Sequence, residues 1–182
     1  MFDDRKAGQV AAFFVDAEGG RMDVIKLVKL IYLADREFMN RYGLPITFDR
    51  MVSMPHGPVN SQTYECIKGA VDCPGWEEWI ADREGHAVSV RKLASRDALD
   101  ELSDAEIETL QAVWQRFGTM GKWEIRDWTH NHCAEWHDPD GSSLPIACAD
   151  VFRALGRDDA MAEELAGHVE AHRQIDKLFA SL

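Results

Sequence analysis

Apolar positions recur along most of this chain at helical spacing, and only two short stretches alternate as strands do. The longest periodic run is "VIKLVKLIYLADREFMNRYG". There Val24, Leu27, Val28, Ile31, Ala34 and Phe38 follow the helical repeat, while Lys26, Lys29, Arg36, Glu37 and Asn40 gather on the other side. The polar stripe is narrow, so most of this helix is expected to be buried. Asp23 is positioned to cap its start, and Gly43 and Pro45 stop it. Before it, "KAGQVAAFFVDA" (residues 6–17) predicts a short apolar helix ended by Gly19 and Gly20.

Further along, "SDAE" at residues 103–106 is a capping box. The serine oxygen accepts from the third helical N–H, and the glutamate reaches back to the capping residue. The helix behind it aligns Ile107, Leu110, Trp114 and Phe117, and Gly118 ends it. Another helix is predicted over residues 121–132, and "IACADVFRALG" predicts a short one ended by Gly156. A last helix from about Asp158 is expected to bury Met161, Leu165, Val169, His172 and Phe179.

Extended structure is sparser. Residues 46–54, "ITFDRMVSM", read as an extended segment. Gly57 and Pro58 then read as a turn into a helix reaching about Gly69, because proline suits a first helical turn. "WEEWI" and "HAVSVRKL" flank a glycine-containing turn and predict a β-hairpin, with Val88 and Val90 alternating against Ser89 and Arg91. Trp76 and Trp79 would then face opposite sides, so at least one is expected to be exposed as a partner-binding anchor; the competing reading is that both cover the edge of the core. The chain is thus expected to be mainly α, one compact helical domain over residues 1–182 with a small β-hairpin or short sheet.

Composition changes this picture little. With 46% hydrophobic and 29% charged residues, the chain has ordinary globular proportions. No apolar run is long enough for a membrane span. "MFDDRKAGQ" carries two aspartates where a secretory signal carries positive charge, so a cytoplasmic location is expected. Cys66, Cys73, Cys133 and Cys148 form no C-x-x-C pair and are expected as free, packed thiols. The formal net charge of −12 argues against nucleic acid as a partner and favours a basic or apolar protein.

Two stretches invite a catalytic reading. In "MPHGPVNSQTYE", His56 lacks a neighbouring carboxylate in sequence, and neither Ser53 nor Ser61 lies in a G-x-S-x-G elbow. In "WTHNHCAEWHD", His130 and Cys133 would share a helical face, as would Cys133 and His137. These are zinc-type ligands, and a metal-dependent hydrolase is the alternative function they suggest. No standard metal spacing is met, and the other reading is a helix end on which Trp128 and Trp136 pack. "AEGGR" lacks the lysine–serine pair of a phosphate loop. No catalytic residue, metal or cofactor is therefore assigned.

"KLVKLIYLAD", followed about twenty residues later by "HGPV" and then "TYECIKG", resembles the Panacea domain, the family of SocA-like antitoxins and phage-associated proteins. The matching positions are Lys26, Leu27, Lys29, Leu30, Tyr32, Ala34 and Asp35, then His56, Gly57, Pro58 and Val59, then Thr129, His130 and Trp136. His56 stands where many relatives carry tyrosine. The resemblance spans roughly residues 5–155. It implies a non-enzymatic antitoxin whose partner is a cognate protein toxin, in a family that includes adaptors delivering the toxin to the ClpXP protease. It also implies a structural or binding role for the motif residues.

Overall fold

The computed structural model describes residues 2–179. Its elements run α1 (Asp4–Ala17), β1 (Arg21–Asp23), α2 (Val24–Tyr42), β2 (Met51–Met54), β3 (Gly57–Asn60), α3 (Ser61–Lys68), α4 (Pro74–Glu77), β4 (Ala87–Ser89), α5 (Asp104–Phe117), α6 (Lys122–His132), β5 (Leu144–Pro145), α7 (Cys148–Ala154) and α8 (Asp159–Phe179). The fold is mainly α with two small sheets.

The core forms around α2. Asp23 accepts from the Ile25 N–H at 2.9 Å and so caps the helix. At the other end Gly43 adopts a left-handed φ of 76° and returns its N–H to Met39. Leu27, Leu30, Ile31 and Tyr32 are completely buried, with α1, α5, α6 and β3 packed around them. Burying each such side chain stabilises the fold by about 1.5–3 kcal/mol. Of the expected polar stripe, the two lysines are covered as well, while Arg36, Glu37 and Asn40 stay partly exposed. Lys26 and Lys29 are buried because the end of α5 and strand β3 present backbone carbonyls to their ammonium groups.

Strand β2 is the middle of a three-stranded antiparallel sheet, with β3 on one side and β5 on the other. Met54 pairs with Gly57, leaving Pro55 and His56 as a two-residue turn. Gly57 and Pro58 therefore open a strand, and the helix starts only at Ser61. Pro58 is tolerated because β3 is an edge strand, where a missing N–H costs no ladder bond. β1 and β4 form a separate antiparallel pair, Met22 opposite Val88.

The second hairpin differs from expectation in one arm. Its turn is present, with a bridge between Glu84 and Ala87 and another between Ile80 and Val90. "WEEWI", however, starts as the short helix α4. α4 sits tightly on α1: a Cβ on Gly8 would meet the Trp76 backbone at 3.0 Å, and one on Gly75 the Arg5 backbone at 2.7 Å. As a result Trp76 and Trp79 are both buried, 3% and 1% exposed. Their expected role as exposed partner-binding anchors loses its basis.

Two further expectations are corrected. Cys66 and Cys73 are joined in a disulfide that ties the end of α3 to the start of α4; Cys133 and Cys148 are free. In α8 the buried line runs through Ala162 and Val169, with Leu165 partly covered. Met161, His172 and Phe179 are exposed: α7, the main neighbour of α8, has 7 residues and is too short to cover the whole of this 21-residue helix. No helix among the described residues is long and apolar enough to cross a membrane.

Candidate functional site

The motif residues of α2, β3 and α6 meet at one junction. Gly57 is its tightest point. Its φ is 97°, and a Cβ there would lie 2.8 Å from Thr129 Oγ1 and 3.1 Å from Lys29 Nζ. Only a residue without a side chain fits both the backbone and the space. Lys29 Nζ donates to the Pro58 carbonyl at 2.8 Å, which pins the hairpin to α2. Burial pulls the Lys29 amine down to a pKa of about 7, and no carboxylate pairs with it among the described residues. Thr129 is buried too, and its hydroxyl donates to the Arg126 carbonyl at 2.7 Å.

Three more polar anchors surround this point. The Asp35 carboxylate accepts from the backbone N–H groups of Ile46 and Thr47 (2.9 Å each), from the Thr47 hydroxyl and from Asn60 Nδ2 at 2.7 Å. Burial pushes its pKa up to about 6, while the bonds from Thr47 and Asn60 oppose the rise. Tyr32 donates to Glu135 Oε1 at 2.6 Å, and Arg36 Nε reaches the same oxygen at 2.7 Å. Lys26 bonds Glu18 at 2.6 Å and the Gly118 carbonyl at 2.7 Å, and so ties α2 to the end of α5. Each bond repays the desolvation of a group that would otherwise destabilise the core. This is scaffold chemistry: the groups are committed to one another, and their arrangement fixes the hairpin against the helices.

The histidine cluster does not assemble as metal ligands. α6 ends at His132, so the helical spacing that would align Cys133 with His137 is absent. His130 stacks on Trp136 with ring centroids 4.0 Å apart, and His132 stacks on Trp128 at 4.5 Å. Trp136 Nε1 donates to the Met54 carbonyl at 3.0 Å and holds that stack against the hairpin. Cys133 is buried, and burial pushes its thiol up to about 12. Among the described residues no three His, Cys, Asp or Glu side chains are arranged to hold a metal ion. The ligand set required by the metal-dependent hydrolase alternative is therefore not brought together.

Above the junction lies a cleft of about 550 Å³, between the first turn of α2, the hairpin tip, the turn before β4 and the start of α6. Lys29 and Gly57 reach its floor, and His56 stands at its rim. The His56 ring meets the Trp123 ring edge-on at 5.9 Å, and among the described residues it bonds no carboxylate. Trp123 is 47% exposed. Sequence reasoning missed Trp123, although a signal existed. It lies two positions before Ile125, about 200° round the helix from the face that Ile125 buries. The neighbouring cations Arg83 and Lys122 come from separate elements, and only the fold unites them.

The structure is mainly helical, and its buried polar residues clamp a hairpin beneath an open cleft. The chain belongs to the family of SocA-like antitoxins defined by the Panacea domain, whose model matches residues 27–137. The match is shorter than the span over which the resemblance runs, and it begins one residue after Lys26. Among curated proteins and among solved structures, nothing matches the chain.

Proposed function

We propose that this protein is an antitoxin that neutralises a cognate protein toxin by stoichiometric binding, without turnover of its own. The observation that supports this reading is the family match over residues 27–137, which takes in every motif residue of the junction except Lys26. The scaffold is consistent with it: Lys29, Tyr32, Asp35 and Thr129 are each hydrogen-bonded within the fold, and an exposed tryptophan stands at the cleft. Delivery of the captured toxin to ClpXP is the mode in which the protein acts as an adaptor. An adaptor holds its cargo while touching a protease, so it needs two separable surfaces.

The test is co-expression with the toxin encoded beside it, in cells with and without ClpXP. Rescue in both backgrounds identifies sequestration, and rescue only with the protease identifies delivery. Failure to rescue in either, with no complex on co-purification, would refute the antitoxin reading.

A further inference from the structure

The net charge of −12 is not spread evenly. The cleft is lined by Lys29, Arg83 and Lys122, with the imidazoles of His56 and His86. Its single carboxylate, Asp23, is engaged twice: one oxygen caps α2 and the other pairs with Lys122 at 2.7 Å. Arg83 bonds the Gly85 carbonyl at 2.7 Å and contacts His86 Nδ1 at 3.4 Å, and it has no carboxylate partner among the described residues. The acids next to Arg83 in the turn point elsewhere, Glu84 to Arg21 at 3.0 Å and Asp82 towards Arg91 at 3.9 Å. With Lys122 offset by Asp23 and Lys29 buried beneath the floor, Arg83 is the exposed cation that no carboxylate among the described residues offsets, and it gives the cleft a net positive charge in an acidic molecule.

It is also shaped for a side chain. Val24, Val28, Met54 and Val59 supply apolar wall. Trp123 stands over the opening, with the Lys122 ammonium 5.5 Å and the Arg126 guanidinium 4.8 Å from its ring centroid. Exposed tryptophan beside arginine, over an apolar pocket, is the composition of an interface hot spot.

We propose that this cleft seats an acidic peptide segment bearing an apolar or aromatic anchor, presented by the toxin. The inference rests on the antitoxin reading only for the owner of the peptide. A basic segment would meet like charge here. A small inorganic anion would use the cations but leave the apolar wall and Trp123 unfilled. A second copy of this chain is disfavoured because two molecules of this net charge repel each other at long range.

The probe is a short fluorescein-labelled peptide of glutamate interrupted by one leucine and one phenylalanine, followed by anisotropy. A lysine version of the same peptide is the control, and inorganic phosphate and ATP are the competitors. The glutamate peptide is expected to bind and the lysine peptide is not. Arg83→Glu and Trp123→Ala should each weaken binding about tenfold or more, whereas Arg96→Glu, on a distant exposed pair with Asp104, should not. Melting curves of all variants establish that they fold. Equal binding of the lysine peptide, displacement by phosphate or ATP, or unchanged binding by both cleft variants would overturn the proposal. So would a salt-sensitive dimer abolished by Arg83→Glu. The same variants are then placed in the co-expression test. If the wild type rescues and both variants rescue equally, the cleft proposal fails and the antitoxin reading stands. If the wild type does not rescue, the antitoxin reading fails and the peptide titration still decides the cleft.

Discussion

Lys29 offers the sharpest physical test of the junction. Its side chain is 1% exposed, and its ammonium holds one hydrogen bond, to the Pro58 carbonyl. Burial lowers its pKa from 10.5 to about 7, so between those values the unfolded chain binds a proton that the folded chain does not. Stability therefore rises with pH across that window, by about 1.4 kcal/mol per pH unit. From neutral pH to about 9.5, the contribution of this one group is roughly 3 kcal/mol. Lys29→Met fills the space with an uncharged chain and removes the titration.

The measurement is urea denaturation of both proteins from about pH 7 to 9.5, taking wild type minus variant at each pH so that every other group cancels. At neutral pH the variant is expected to lie within a few kcal/mol of wild type, since the Pro58 carbonyl loses its donor, costing about 1–3 kcal/mol, while a desolvated charge is also removed. The difference should then move steadily in favour of wild type as pH rises. A flat difference, within about half a kcal/mol, would mean that Lys29 ionises like an exposed lysine and that the hairpin is not clamped as described.

Other perturbations probe separate links. Gly57→Ala places a Cβ against Thr129 and Lys29 at a positive φ, and should cost about 2–5 kcal/mol from strain and overpacking together, read by chemical denaturation. Ile31→Ala in the centre of α2 should cost roughly 2–5 kcal/mol; a loss under half a kcal/mol would place Ile31 outside the core. Reducing the Cys66–Cys73 bridge opens a short loop and should lower stability by roughly 2–3 kcal/mol, with Cys66→Ser showing no further loss on adding reductant.

What the sequence disclosed was local. Asp23, Gly43 and the Ser103–Glu106 capping box mark helix ends through bonds between near neighbours, and α2 and α5 were readable to within a residue or two. Gly57–Pro58 was misread because the same dipeptide serves a helix start and an edge strand; pairing with β2 makes it a strand, and Lys29 of α2 binds the Pro58 carbonyl. Trp76 and Trp79 were misplaced because their burial depends on the close approach of α4 to α1 through Gly8 and Gly75. The motif residues were identifiable, but their mutual contacts were not, and the cleft draws on segments far apart in the chain, with no local pattern.

The burial of the motif has a consequence for how such a domain meets its partners. Lys29, Tyr32, Asp35 and Thr129, which carry the family resemblance, are all closed to a partner. Their bonds run to carbonyls, to one another's neighbours and to the hairpin, so changing any of them acts first on the shape of the scaffold. A toxin cannot read them directly. It can read only what the scaffold holds at the surface, and Arg83, Lys122 and Trp123 lie there, outside the motif. Surface side chains can be exchanged at little cost in stability, commonly within about half a kcal/mol. One buried clamp can thus carry many different rims. On this reasoning, partner choice should move with substitutions at the rim, while substitutions in the clamp should lower binding of every partner in proportion to the stability lost. Measuring Trp123→Ala and Asp35→Asn against the same toxin, with folding stability followed alongside, separates the two: rim loss without unfolding supports the division, and rim loss that merely tracks melting would dissolve it.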